Sequence, residues 1–207
     1  MANSLFIVFE GIDGSGTTTQ AVMLRDRLLA DQQAAILTSE PSEGPIGNMI
    51  RQGMKGRIQF SSNPISFDQQ MAYLFAADRY DHLHNEVEGV LKLIEQGTHV
   101  ISTRYFFSSY AYHATDEATH ALVKRLNENF PNPDLVIYLK NTVECSISRM
   151  KNRAHKDAYE NAHKLTLVGE NYDHIFSEYH SPLLILDAGK SPEAIHNEIY
   201  NYLTDLL

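Results

Sequence analysis

The sequence predicts a doubly wound α/β domain built on a mainly parallel sheet. Three observations carry that expectation: five short apolar runs spread along the chain, longer segments of helical periodicity between them, and a glycine-bearing loop that joins the first run to the first helix. The runs do not alternate cleanly with polar residues, as befits strands buried on both faces. With 207 residues and 43% hydrophobic content, the chain can bury one large core, and residues 1–207 are read as a single domain.

Taken in order, LFIVF at residues 5–9 is the first strand. It runs into GIDGSGTTTQ at 11–20, where Gly11, Gly14 and Gly16 permit a tight turn and a helix begins at about Thr17. A strand, a glycine turn and a helix N-terminus gather backbone N–H groups around one concavity, which suits a di- or triphosphate. Gly11, Ile12, Asp13, Gly14, Ser15, Gly16, Thr17 and Thr18 are therefore the candidate nucleotide-binding residues. Thr18 stands at the hydroxyl position for Mg²⁺, but Thr17 occupies the place where G-x-x-x-x-G-K-[ST] has lysine. The backbone cradle survives that change; the ammonium that neutralises charge between transferring phosphates does not.

The second strand, AAILT at 34–38, leads to Glu40 and Pro41 at a sheet edge where doubly wound folds bind ligands. Glu40 is a candidate for tuning Mg²⁺ or a sugar hydroxyl, with a turn-capping carboxylate as the alternative. Helical spacing then continues over 66–97, with Gly97 ending the long helix before the third strand, HVIST at 99–103. Inside that helix Phe75 and Arg79 share a face, which sets an aromatic ring beside a guanidinium suited to phosphate oxygens, with a core phenylalanine as the alternative. DLVIYL at 134–139 and PLLILDA at 182–188 complete the strands, and Ser191, Pro192 and Glu193 open the last helix.

Composition narrows the function classes. Acidic residues outnumber basic ones 26 to 17, and a net charge of −9 argues against a nucleic-acid surface. Phosphate must then be met in a local basic pocket. Cys145 is the only cysteine, and the ten histidines are scattered without zinc spacing, so neither a disulfide nor a zinc site is expected. No apolar stretch reaches the roughly 20 residues of a membrane span. The start, MANSLFIVFE, has no basic leader or cleavage site, which points to the cytoplasm.

In order and at similar spacing, FEGIDGSGTTTQ, EPSEGPIGNMIR, LFAADRYDHL, RYFFSSYAYH and PNPDLVIYL make the chain resemble the thymidylate kinases, which are P-loop nucleoside monophosphate kinases. The resemblance spans residues 5–203. It implies a five-stranded parallel sheet, a lid that closes over ATP, a homodimer, and transfer of the γ-phosphoryl of MgATP to dTMP. It further implies that Arg51, Arg79 and Arg104 hold the monophosphate or transferring group, and that Asp13 approaches the acceptor or its metal-bound phosphate. Ser108, Tyr112 and His113 match positions around the sugar and base, while Tyr105 and Phe107 are assigned to packing. The lid corresponds to residues 148–161, the densest basic cluster in the chain. Some thymidylate kinases carry an essential arginine where this chain has Gly14; others supply it from the lid. Arg149 and Arg153 are thus the expected catalytic source of the charge that Thr17 lacks. Asp157, Glu160 and Tyr172 match the helix after the lid, with Tyr172 near the base.

Four departures touch the chemistry. Thr17 replaces lysine, Thr103 replaces the aspartate before arginine, Ser39 replaces the arginine before Glu-Pro, and His113 replaces a glutamine that reads the base. Beside a working dTMP kinase stand two alternatives: a nucleotide-binding pseudo-kinase, and a kinase for another pyrimidine monophosphate.

Overall fold

The computed structural model describes residues 4–113, 116–151, 162–204 and 206. Five strands, β1 (Phe6–Glu10), β2 (Ala35–Ser39), β3 (His99–Thr103), β4 (Leu135–Lys140) and β5 (Leu183–Asp187), lie parallel in the order β2-β3-β1-β4-β5. Each falls within about a residue of the apolar run that marks it. The described helices are α1 (Thr17–Ala30), α2 (Pro45–Met54), α3 (Pro64–His84), α4 (Val90–Glu95), α5 (Phe106–His113), α6 (Glu117–Asn127), α7 (Val143–Met150), α8 (Ala162–Ser177) and α9 (Pro192–Thr204).

Side chains of β1 alternate between two cores. Phe6 and Val8 pack with Leu83 of α3, Phe107 of α5 and Val168 of α8. Ile7 and Phe9 pack with Leu24 and Leu28 of α1 and Ile195 and Ile199 of α9. Helices on both faces leave no solvent side, which is why the strands read as continuous apolar runs.

One expected element divides. The helix read over 66–97 is α3 followed by α4, because Asn85 turns the chain. Its backbone is extended, at φ −64° and ψ 148°, and its side-chain oxygen accepts from the N–H groups of Val87 and Glu88 at 3.1 and 2.8 Å. Leu83 and Val90 flank the break and enter the same core, so the apolar periodicity continues across it and hides it. No described helix is long and apolar enough to cross a membrane.

Candidate active site

The loop between β1 and α1 depends on two left-handed glycines, Gly14 at φ 84° and Gly16 at φ 99°. That region costs a residue with a Cβ about 1–2 kcal/mol. Gly16 is the N-cap of α1 and no side chain caps this end, so the first-turn N–H groups face a prospective anion. Gly14 is constrained by space as well. A Cβ there would lie 2.7 Å from the Ser146 carbonyl oxygen and 3.2 Å from Met150 Cγ, both on α7. While α7 packs in this way, no arginine fits at position 14.

Arg149 of α7 meets the same loop from the other side. Its Nη1 lies 3.4 and 3.3 Å from the carbonyl oxygens of Gly14 and Ser15, and its Nη2 donates to the Ala188 carbonyl at 2.8 Å. The expected phosphate-facing arginine is here folded onto backbone. Arg153, with Asp157, Glu160 and most of the lid, lies outside the described residues.

Because β1 and β3 are neighbours, with Phe9 paired to Thr103, the segments leaving their carboxyl ends emerge side by side. Asp13 and Arg104 meet for that reason. Arg104 Nη2 is 2.5 Å from Asp13 Oδ1 and 3.3 Å from the Tyr112 hydroxyl, which donates to Asp13 Oδ2 at 3.1 Å. Nη1 reaches Ser108 Oγ at 3.1 Å and the Tyr172 hydroxyl at 3.4 Å. Desolvation pulls the Arg104 pKa down, but Tyr112, Asp13, Tyr172 and Glu10 together hold it well above its ordinary value. The cation is secure.

Asp13 and Arg104 border a cavity of about 170 Å³ that is also lined by Phe75, Arg79, Ser108, Tyr112 and His113. Phe75 and Arg79 reach it together, as their spacing on one helix requires. Arg79 Nε and Nη2 donate to Glu40 Oε2 at 2.9 and 2.6 Å, Nη2 also to Ser109 Oγ at 3.2 Å, and Nη1 to Asn127 Oδ1. Four of its five N–H donors are so engaged, which leaves one for a ligand. The His113 ring lies 5.3 Å from that of Phe75. Its Nδ1 is 3.9 Å from Asp68, and burial lowers its pKa more than Asp68 raises it, keeping the imidazole neutral at pH 7.

Three of the expected site residues are held by protein partners. Glu40 lines the cavity, but for Mg²⁺ it is not free: it is buried, bonded to Arg79, and its other oxygen is 3.4 Å from His82 Nδ1. Arg51 does not line the cavity; it donates to the carbonyls of Pro41, at 2.9 Å, and Ser42, and to Glu43, bracing the segment after β2. Tyr172 is fully buried and donates to Glu10 at 2.7 Å. Glu10 itself went unread. Its signal was a carboxylate ending an otherwise apolar buried strand.

A second cleft, of about 460 Å³, is lined by Thr18, Ser39, Glu43, Asp81 and Thr103 among others. Ser39 and Thr103, two of the four departures, are register partners across β2 and β3. Neutral hydroxyls thus stand opposite one another where the family pattern has an arginine and an aspartate. Among the described residues no three His, Cys, Asp or Glu could hold a metal ion. The donors fit an Mg²⁺ that brings its own phosphate and water ligands, with the exposed Thr18 as the protein's contribution.

A glycine loop at a bare helix N-terminus, beside an arginine-lined cavity on a parallel sheet of this order, defines a P-loop nucleotide kinase. The sequence model for thymidylate kinase matches residues 9–199. A probable thymidylate kinase of Methanococcus aeolicus is 37% identical over 205 residues, 97% of this chain and 96% of the relative. Probable thymidylate kinases of Methanocaldococcus jannaschii and Thermococcus kodakarensis are each 34% identical, covering 100% and 98% of this chain and 99% and 98% of their own. The chain belongs to the thymidylate kinase family of ATP-dependent phosphotransferases.

Proposed function

We propose that this protein transfers the γ-phosphoryl of MgATP to dTMP, giving dTDP and ADP. The observation that carries the reading is the meeting of Asp13, from the glycine loop, with Arg104, from the end of β3, at a cavity floored by Phe75 and Arg79. The loop N–H groups at residues 11–18 hold the ATP phosphates. Arg104 and the remaining donor of Arg79 take the dTMP phosphate, Phe75 stacks on thymine, and Ser108, Tyr112 and His113 bound the sugar and base.

An oxygen of the dTMP phosphate attacks the γ-phosphorus in line, and the bond to the β,γ-bridging oxygen breaks as ADP leaves. Positioning and charge stabilisation do nearly all the work in such transfers. Mg²⁺, held through Thr18, neutralises phosphate charge when bound. The charge missing at Thr17 is supplied in part by Arg149 and Arg153 of the lid segment, residues 148–161; the place of Arg149 against the Gly14 and Ser15 carbonyls, on the loop itself, supports this. Asp13 orients Arg104 and the acceptor.

The chain acts as a single domain in the cytoplasm and as a homodimer. Ile65, Tyr73 and Tyr80 leave large apolar surface along one exposed face of α3, which supports pairing there. His113 in place of glutamine gives a second reading weight, a kinase for a related pyrimidine monophosphate such as dUMP.

Steady-state turnover of dTMP, dUMP and dCMP with MgATP decides among these, run beside Thr17→Lys. Turnover of dTMP at roughly 1–100 per second is expected. Preference for dUMP moves the reading to the second acceptor. Activity confined to Thr17→Lys, with nucleotide binding intact in the natural protein, makes it a pseudo-kinase.

A further inference from the structure

Glu10 has no part in the reading above. It ends β1 one residue before the glycine loop and is 0% exposed. Its Oε1 accepts from the Tyr105 N–H at 2.8 Å, and its Oε2 accepts from Ser108 Oγ at 2.8 Å and the Tyr172 hydroxyl at 2.7 Å. These two hydroxyls are 2.9 Å apart, and both lie against Arg104 Nη1. The carboxylate therefore reaches Arg104 through one hydroxyl from α5 and one from α8.

An ionised carboxylate can only accept, and a hydroxyl has one proton to give. When Ser108 and Tyr172 both direct their protons to Oε2, their lone pairs turn toward the guanidinium. We propose that Glu10 is a positioning residue: it sets the polarity of the Ser108 and Tyr172 hydroxyls and, through them, fixes Arg104 against Asp13 at the acceptor phosphate. Arg104 needs such support. Its backbone sits at φ 76°, a region unfavourable to any residue with a Cβ, and its N–H is tied to the Phe9 carbonyl at 2.9 Å. Desolvation lifts the Glu10 pKa above its ordinary 4.5 despite Arg104 and three hydrogen bonds, which marks a carboxylate buried at a cost.

This inference rests on Arg104 binding the acceptor phosphate, and the test separates the two ideas. Glu10→Gln keeps the size and the acceptor for Tyr105 but places an N–H₂ donor where Oε2 was. The two hydroxyls then reverse and aim their protons at Arg104. The expected result is a rise of about tenfold or more in the KM for dTMP, and in its Kd by calorimetry without ATP. The KM for ATP should hold. Adding Tyr172→Phe to Glu10→Gln removes one reversed hydroxyl and should recover part of the loss, although Tyr172→Phe alone weakens dTMP binding.

Unchanged dTMP affinity in folded Glu10→Gln overturns the proposal, as does an equal loss for ATP and dTMP. If Glu10→Gln does not fold, Tyr172→Phe and Ser108→Ala carry the test, and a dTMP affinity unmoved in both overturns it. A natural protein that binds dTMP without turnover ends the kinase reading, while calorimetry on the same variants still decides the role of Glu10. One that binds no monophosphate ends both.

Discussion

Arg79 and Glu40 face each other at the edge of the cavity that Asp13 and Arg104 border, Nη2 2.6 Å from Oε2, with side chains only 1% and 2% exposed. Taking two charges out of water is expensive, and the pair persists because each satisfies the other. Glu40→Ala would leave the Arg79 cation uncompensated and is expected to cost about 3–5 kcal/mol. The measurement is a urea midpoint lowered at unchanged slope. Survival of Glu40→Ala with full stability would mean that water or Asn127 already compensates the guanidinium.

Gly14 and Gly16 share a backbone conformation but not an environment. A Cβ at Gly16 meets nothing within 4 Å, whereas at Gly14 it meets α7 at 2.7 Å. Gly16→Ala should therefore cost only the conformational term of about 1–2 kcal/mol. Gly14→Ala should cost more and weaken ATP binding as α7 shifts. Thermal unfolding of the two variants, with ATP titrations, checks the order.

The pairing of Ser39 with Thr103 makes two departures into one unit. Thr103→Asp alone puts an unpaired carboxylate beside Asp81 and Glu43 in the Thr18 cleft and should destabilise the fold. Ser39→Arg added to it should restore stability, with a coupling energy of about 0.5–3 kcal/mol in a double-mutant cycle. Additive effects would show that the two positions do not interact.

Buried histidines weaken stability on the acid side. Desolvation lowers the pKa of His99, whose Nδ1 accepts from the Leu5 N–H at 3.1 Å, and of His113 below the ordinary 6.5. The unfolded chain binds these protons more readily, so stability rises with pH in this window. It is complete above 6.5 and is lost as pH falls from 6.5 toward the lower folded values. Glu10 acts in the opposite sense: its folded pKa is raised, so its contribution to stability declines as pH climbs above 4.5. Melting temperatures from pH 5 to 8 should fall toward acid, and His99→Gln should flatten part of that slope.

Tyr80 is 63% exposed on the face of α3 that also carries Ile65 and Tyr73. Tyr80→Asp should shift the protein toward monomer in analytical ultracentrifugation. A natural protein that sediments as a monomer at every concentration would leave that face without a partner copy.

The glycine loop, the strands and the family were legible because each is a local pattern: glycine spacing, apolar runs and motifs a few residues long. Candidate residues such as Asp13, Phe75, Arg79, Arg104, Ser108, Tyr112 and His113 followed from those motifs, and one cavity collects all seven. The break at Asn85 was not legible, since a turn between two apolar positions that feed one core keeps the helical period. The protein partners of Glu40, Arg51 and Tyr172 were not legible for a different reason. A motif says where a side chain leaves the backbone, whereas the partner it finds depends on elements far away in sequence.

By itself, then, the sequence determined the order of strands and helices, the phosphate loop and the family, because backbone propensity and glycine conformation act over a few residues. Tertiary structure alone decided that Arg149 lies on the loop carbonyls, that Arg79 is neutralised by Glu40, and that Glu10 reaches Arg104 through two hydroxyls. Those pairings link residues 39 to 162 positions apart. Only the parallel sheet, by bringing the carboxyl ends of β1, β2 and β3 to one edge, sets their charges within reach.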